Sequence, residues 1–326
     1  MMDKAPLVSV VMCTYNGEKY LQAQLESILQ QTRVPSEIIL SDDGSSDGTL
    51  ALARTVLGGL SDLRVVVTTR DAPLGPAGNF SSALGLATSP LIVLADQDDL
   101  WHPKKLERLG QVLEQDETAL LVHSDAALVN ESGQRMDSLS HALAMTKTER
   151  RALRSGAALE ALLRRNLVTG ATTMIRSDLL RDALPVPEGW VHDEWLALVA
   201  ALHHGVRFVE EELIDYRQHG ANQIGATRLN AAEAGERLRE GRSSFFARKA
   251  ARNRALSNLV TLAPAWLQPG DKDALMDKCE HDEWRSRLPR THLPRVLPVF
   301  SRWLSGHYSR YARGLVDVLR DLVLRD

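Results

Sequence analysis

The first 125 residues of the chain switch repeatedly between two periodicities, and that alternation most constrains what it can fold into. Short, β-branched runs at 7–13, 37–40, 64–68 and 91–95 read as buried strands, and 120–123 is strand-like again. Between them lie segments of helical spacing. Residues 18–31 place Tyr20, Leu21, Leu25, Ile28 and Leu29 on one face, 47–57 follows a Ser or Asp able to cap it, 77–87 is helical, and Pro103 is placed to open another helix. Strands alternating with helices of this length predict an α/β fold: a Rossmann-like, mostly parallel sheet flanked by helices.

Past Asp125 the pattern loosens into helices at 150–165 and 193–203 and strands at 168–175 and 206–209, the last leading into IDYRQHGANQIG. From about Gly225 the chain becomes rich in Ala, Arg, Leu and Glu and is broken by Pro264, Pro269, Pro289, Pro294 and Pro298. This predicts a catalytic domain over 1–225 and a helical C-terminal appendage over 226–326. The 326 residues are enough for both, and 44% hydrophobic with 25% charged residues is ordinary for a globular chain. A formal charge of -3 gives no general pull toward nucleic acid, so none is expected as a partner. The two cysteines, Cys13 and Cys279, fit no disulfide or metal pattern. No apolar run approaches the roughly 18 residues of a membrane span, and the first residues lack a signal-peptide pattern, so a cytoplasmic protein is expected.

Ligands of open α/β sheets bind beyond the carboxyl ends of the strands. Three polar clusters fall at such ends: Thr14-Tyr15-Asn16, Asp42-Asp43-Gly44 and Asp96-Gln97-Asp98-Asp99. Three carboxylates within four residues repel one another unless a cation is present, and a hard divalent ion, Mg²⁺ or Mn²⁺, prefers oxygen ligands shared with a substrate phosphate. There is no Walker loop, and TYNGEKY holds one glycine where a dinucleotide fingerprint needs three. Phosphate cradling by backbone amides is therefore not the main device. SDDGSSDGT can instead accept hydrogen bonds from a nucleobase.

In order, VSVVMCTYNGEKYLQAQLESILQQT, EIILSDDGSSDGT and ADQDDLWHPKK resemble family 2 glycosyltransferases with the GT-A fold, most closely the bacterial rhamnosyltransferase-like branch that builds surface polysaccharides. The likeness covers about residues 6–225. It implies an inverting, metal-dependent hexosyltransferase that moves a sugar, best guess L-rhamnose from dTDP-L-rhamnose, onto a saccharide or lipid-linked saccharide acceptor. By that resemblance Asp42 or Asp43 contacts the base with Thr14 and Tyr15 beside it. Asp96 sits near the ribose, Asp98 binds the metal, and Asn16, Asn79 and Gln97 belong to the nucleotide-sugar site. GWVHDEW resembles the segment that supplies the catalytic base, which maps onto Asp193. YRQHGAN resembles the closing motif, where His219 approaches the metal or diphosphate, though Tyr216 and Arg217 could equally serve the diphosphate. Trp101, Trp190, His192, Glu194 and Trp195 are expected to contact sugar or acceptor.

Asp193 also stands on its own residues. Inversion needs a carboxylate opposite the leaving group to take the acceptor's proton, and neighbouring tryptophans would exclude water and raise its pKa. The plainer reading is a carboxylate that only satisfies amides at a helix start. A second HDEW, at His281 to Trp284, lies in the appendage and reads as chance. The tail from Arg285 is rich in arginines with Trp303, Leu304, Tyr308 and Tyr311 among them, which suits an anionic membrane surface or a solvated face packed on the catalytic domain. Rival readings are a sugar transferase using another UDP- or dTDP-sugar, an aspartate-based phosphohydrolase, and a non-catalytic carbohydrate-binding protein. The phosphohydrolase motif belongs after the first strand, which here ends in CTYNG.

Overall fold

The structure, a computed structural model, describes residues 6–219, 242–262, 264–289 and 291–323. Its centre is a twisted sheet in the order β3-β2-β1-β4-β8-β6-β9-β5. The strands are β1 (Val8–Thr14), β2 (Glu37–Asp42), β3 (Arg64–Thr69), β4 (Leu91–Ala95), β5 (Leu100–Trp101), β6 (Leu121–Val129), β7 (Arg135–Ser138, paired only with β6), β8 (Thr173–Arg176) and β9 (Val206–Arg217). The β3-β2-β1-β4 half is parallel; β8 runs antiparallel to both β4 and β6, and β9 returns parallel to β6. The expected α/β architecture with a mostly parallel sheet is thus present.

Strands buried on both faces need no polar alternation, and β1, VSVVMCT, shows why. Successive side chains point to opposite faces. Val10 and Met12 pack with Leu21, Leu25 and Ile28 of α1 (Glu18–Leu29), and with Leu106 and Leu109 of α4 (Lys105–Gln115). Val11 faces the other way, toward Phe80, Ala83 and Leu84 of α3 (Gly75–Leu84) and the buried α9 (His192–Leu202). From Trp195 to Leu202 every residue of α9 is buried, so it is a core helix rather than an amphipathic one.

Several expected boundaries move for identifiable reasons. The segment expected to be helical over 47–57 begins at Thr49, with Gly48 at its N-cap and Asp47 accepting the Thr49 N–H at 3.0 Å. The helix expected over 150–165 is two, α6 (Lys147–Ser155) and α7 (Leu159–Arg164). A capping box between Thr146 and Glu149 starts the first, and Gly156 ends it at φ +81°. Part of the strand expected over 168–175 is a 3₁₀ turn, Gly170–Thr172. The short strand expected over 206–209 runs on to Arg217, because β5 and β6 both pair with its second half.

The C-terminal segment is helical, as its composition implied: α10 (Arg242–Leu262), α11 (Pro269–Ser286), α12 (Leu293–Leu304), α13 (His307–Tyr311) and α14 (Leu315–Val323). Leu256 and Leu275 from it join the same apolar core as α9. The boundary expected near residue 225 lies outside the described residues. Among the described residues no helix is long and apolar enough to cross a membrane.

Gly156 carries a local prediction. A Cβ there would stand 2.4 Å from the His204 carbonyl oxygen, at a φ that L-residues rarely adopt. Gly156→Ala should lower unfolding free energy by about 1–3 kcal/mol in urea titrations, the usual scale for such strain.

Candidate functional site

Parallel pairing sets the strand ends side by side: Thr14 is opposite Asp42, and Met12 opposite Ala95, so the loops after β1, β2 and β4 open onto one edge. There they border a cleft of about 750 Å³. Its lining includes Thr14, Tyr15, Asn16, Asp43, Asn79, Asp96, Gln97, Asp98, His192, Asp193 and His219.

Most of the β1 and β2 loop residues hold one another. Asp42 accepts the Thr14 hydroxyl at 2.8 Å and the amides of Gly44 and Ser45. Asp43 accepts the amides of Leu74 and Gly75 at 2.9 and 2.8 Å. Asn16, at φ +48°, accepts the Ser46 amide. Asn79 exchanges two hydrogen bonds with Ser41. Gln97 clasps the backbone of Tyr15 from both sides, accepting its N–H at 2.8 Å and donating to its carbonyl at 3.0 Å. The exposed Tyr15 ring is thereby set on a fixed backbone at the cleft mouth.

The β4 loop is drawn across the sheet. Pairing of β5 with β9 carries it to the end of β9, where Arg217 donates its backbone N–H to Asp99 and its Nε to the Asp98 carbonyl, both at 3.0 Å. This brings His219 Nε2 within 2.7 Å of the Asp98 carboxylate, with the imidazole stacked on Tyr20. Beneath the loop Lys105 is fully buried, its ammonium 3.8 Å from the centre of the Trp101 ring and 2.5 Å from the Ala171 carbonyl. Burial pushes the Lys105 ammonium down to about 7, and it lifts Asp99 well above the usual carboxylate range. Burial likewise raises Asp96 to about 7, with the Asp98 and Asp193 carboxylates adding to the rise.

Asp193 stands in the first turn of α9, whose N-cap is Val191. Its carboxylate accepts the Gly170 N–H at 2.9 Å and the Glu194 N–H at 2.6 Å, and it lines the cleft. Burial, the largest influence, drives its pKa up to about 7 against those amide bonds. His192 is buried and stacked on Phe80 at 3.9 Å, and among the described residues neither ring nitrogen has a hydrogen-bond partner. Burial holds its pKa down to about 3, so it is a neutral imidazole.

The tryptophans are placed elsewhere. Trp101 is packed under Lys105, Trp195 donates to the Ala183 carbonyl inside the core, and Trp190 lies between Trp195 and Arg252. None of the three lines the cleft, nor does Glu194, which is ion-paired with Arg252. Apolar burial explains all three rings, Trp101 in the core beside α1 and α4 and Trp190 and Trp195 in the core around α9. The second HDEW is structural too: Asp282 is buried between Lys249 and Lys278, which hold its carboxyl below the usual range. Lys105, Asn166, Gly170 and Arg217 have positions at or under the site that the sequence reading passed over or left open. Only the consecutive lysines after Pro103 hinted at the first.

Among the described residues no group of three or more His, Cys, Asp or Glu side chains could hold a metal ion by itself. Asp98 and His219 offer two donors at the cleft wall. Mg²⁺ and Mn²⁺ are commonly held by one or two protein ligands, water and substrate phosphate, so this donor set fits a cation completed by a diphosphate.

Residues 9–182 match Glycosyl transferase family 2, which is more than half of the chain. The chain belongs to that family. It is 35% identical over 134 residues to a putative glycosyltransferase, EpsE, of Bacillus subtilis (strain 168), covering 41% of this chain and 48% of EpsE. It is 38% identical over 101 residues to the Escherichia coli protein named UDP-Glc:alpha-D-GlcNAc-diphosphoundecaprenol beta-1,3-glucosyltransferase WfgD, covering 31% and 38%. The chain thus spans less than half the length of these curated relatives. In fold it is similar to S. aureus TarS in complex with UDP-GlcNAc (TM-score 0.56, 17% identity, 97% of this chain and 81% of that one). It is also similar to mannosyltransferase PcManGT from Pyrobaculum calidifontis in complex with GDP-Man and Mn²⁺ (TM-score 0.52, 18% identity, 98% and 86%).

Asp193 makes stability pH-dependent in a predictable sense. Its folded pKa, about 7, exceeds the ordinary 3.8, so the folded state holds the proton that the unfolded chain has released. That contribution is full below about 4 and is lost as pH rises through 7. Asp193→Asn, which can still accept the Gly170 amide, should match the wild type near pH 4. Above pH 7 it should melt at least about 2–4 °C higher, the shift of roughly 1 kcal/mol at this size.

Proposed function

We propose that the chain is a metal-dependent, inverting glycosyltransferase that uses a nucleoside diphosphate sugar. Residues 1–225 would bind donor and acceptor, in bacterial surface-polysaccharide synthesis. The observation that carries this reading is one cleft lined by two different carboxylate devices: the Asp98–His219 pair and the partly buried, amide-held Asp193. The exposed Tyr15 ring would cover the base at the mouth, with Asp42 and Asp43 supporting its loop and Asp96 near the ribose. Mg²⁺ or Mn²⁺ between Asp98, His219 and the diphosphate would neutralise charge on the leaving group.

In the transfer, the acceptor hydroxyl oxygen bonds to the anomeric carbon from the face opposite the diphosphate. The bond from that carbon to the diphosphate oxygen breaks, the nucleoside diphosphate departs, and the hydroxyl proton passes to the Asp193 carboxylate. The role asked of Asp193 is that of a general base, and a pKa near 7 matches it to neutral pH. His192, a neutral imidazole in the cleft lining, would hydrogen-bond a sugar hydroxyl. The buried tryptophans, Trp101, Trp190 and Trp195, support the walls from behind, and Glu194 ties α9 to the helical region.

For the donor we propose dTDP-L-rhamnose first, on the resemblance of the DQDD–W and HDEW segments, with another dTDP- or UDP-sugar as the alternative. A saccharide or lipid-linked saccharide is the proposed acceptor, which would set the enzyme in the cytoplasm at the inner face of a membrane.

Screening activated sugars, with mass-spectrometric detection of released nucleotide, tests the reading. Nucleoside diphosphate release that requires an acceptor supports it; inorganic phosphate release favours a phosphohydrolase, and sugar binding without turnover a carbohydrate-binding protein. With the active donor, Asp193→Asn should lower kcat by about 10²–10⁴-fold, the usual contribution of a general base, with donor KM little changed. Wild-type kcat should fall as pH drops below about 7, where Asp193 takes up its proton. Unaltered turnover in the variant would remove Asp193 from the chemistry.

A further inference from the structure

The end of the chain wears its polarity inside out. Arg285, Arg295, Asp317 and Asp321 are buried, with Arg285 donating to Asp321 at 2.6 Å and to Asp317 at 3.0 Å and the Tyr308 hydroxyl donating to Asp321 at 2.7 Å. A small apolar core of Leu288, Val299, Tyr308, Ala312 and Val318 packs beside these buried charges, yet most of the large apolar side chains of α12 and α14 face outward. On α12 the exposed residues Leu293, Val296, Leu297, Phe300 and Leu304 recur at i, i+3, i+4, i+7 and i+11, which is one face of a helix. On α14 Leu315, Val316, Leu319 and Val323 are exposed, while Asp317, Val318 and Asp321 point inward. The two helices form a hairpin: His292, before α12, bonds the Leu322 carbonyl at 2.7 Å, and Arg295 bonds the Asp321 carbonyl. Both apolar stripes lie on the side away from the shared buried arginines.

We propose that α12 and α14 form a surface that docks on an anionic lipid bilayer. Leu297 is 81% and Leu293 87% exposed, and apolar stripes of this length on paired helices mark interaction sites rather than ordinary solvated faces. Charge selects the occupant. Between Arg285 and Val323 the only acidic residues are Asp317 and Asp321, and both are turned inward, so this segment presents outward charge of one sign only. Arg287 and Arg310 make exposed ion pairs with Glu283 and Glu160, and Arg302, itself mostly covered, reaches the exposed Glu280. Such pairs contribute little and are readily exchanged for lipid phosphates. A second copy of the chain would bring like charges against these arginines, which disfavours it as the occupant. The membrane mode is interfacial, with apolar faces entering the headgroup boundary and arginines meeting anionic lipid. Tyr308 and Tyr311 are buried, contrary to what the sequence predicts, so aliphatic side chains and Phe300, not tyrosines, make the surface.

The inference rests, for its setting, on the membrane-borne acceptor proposed above. Flotation of the full chain with phosphatidylglycerol-containing vesicles, against phosphatidylcholine alone, tests it. The wild type should float with the anionic vesicles and release at high salt. Leu297→Ser/Phe300→Ser/Leu319→Ser, all on exposed positions, should lower the floated fraction by about tenfold or more, with circular dichroism and nucleotide binding unchanged. Equal flotation of variant and wild type would overturn the proposal. So would a wild type that does not float, including one whose light scattering shows a dimer that the variant dissolves. Sugar transfer by a non-floating wild type would end the surface and leave the transferase reading standing. Flotation by a protein that binds no nucleoside diphosphate would do the reverse.

Discussion

Carboxylates taken out of water cannot crowd together unless something offsets their charge, and this constraint organises the cleft. Asp96, Asp98 and Asp99 follow a buried strand within four residues, and Asp193 faces them from α9. Each is managed differently. Asp99 receives the Arg217 amide from above and lies near the buried Lys105, Asp193 is held by the Gly170 amide, and Asp98 meets His219. Asp96 has the raised pKa of a group still short of compensation. A divalent cation with a diphosphate in the cleft would relieve that crowding.

The 3₁₀ turn Gly170–Thr172 links the two sides. Lys105 donates to its Ala171 carbonyl from below, and its Gly170 N–H reaches Asp193 across the cleft. A loop of the first half of the sheet and the helix that bears Asp193 are therefore braced against one short segment, more than sixty residues away from Lys105 in sequence. Rigid support of this kind is what general-base catalysis requires, since a carboxylate acts only within hydrogen-bond reach of the proton it takes.

Much of this was legible in the sequence because local periodicity and the strand-end rule are local facts. The runs at 7–13 and 91–95 fixed where β1 and β4 end, and hence where Tyr15 and Asp98 emerge. What escaped depends on contacts far apart along the chain. The full length of β9 could not be read because Glu210, Glu211 and Glu212 interrupt its apolar pattern, and only pairing with β5 and β6 extends it. Trp190 and Trp195 read as sugar platforms because tryptophans beside an aspartate suit that role, but both rings are buried in the apolar core, Trp195 from α9 itself and Trp190 from the segment just before it. Gln97 and Asn79 read as ligand contacts; both line the cleft, and each also gives part of its amide to the Tyr15 backbone or to Ser41, which the sequence does not show. Lys105 was missed because nothing in two consecutive lysines says which one is buried.

The proposed role of Asp98 in holding a cation is tested most directly by calorimetry of nucleoside diphosphate binding with and without Mn²⁺. The expected result is binding of dTDP or UDP by the wild type that needs Mn²⁺ and is lost in Asp98→Asn. Tight binding that is indifferent to Mn²⁺, or that survives Asp98→Asn with its metal dependence intact, would contradict it.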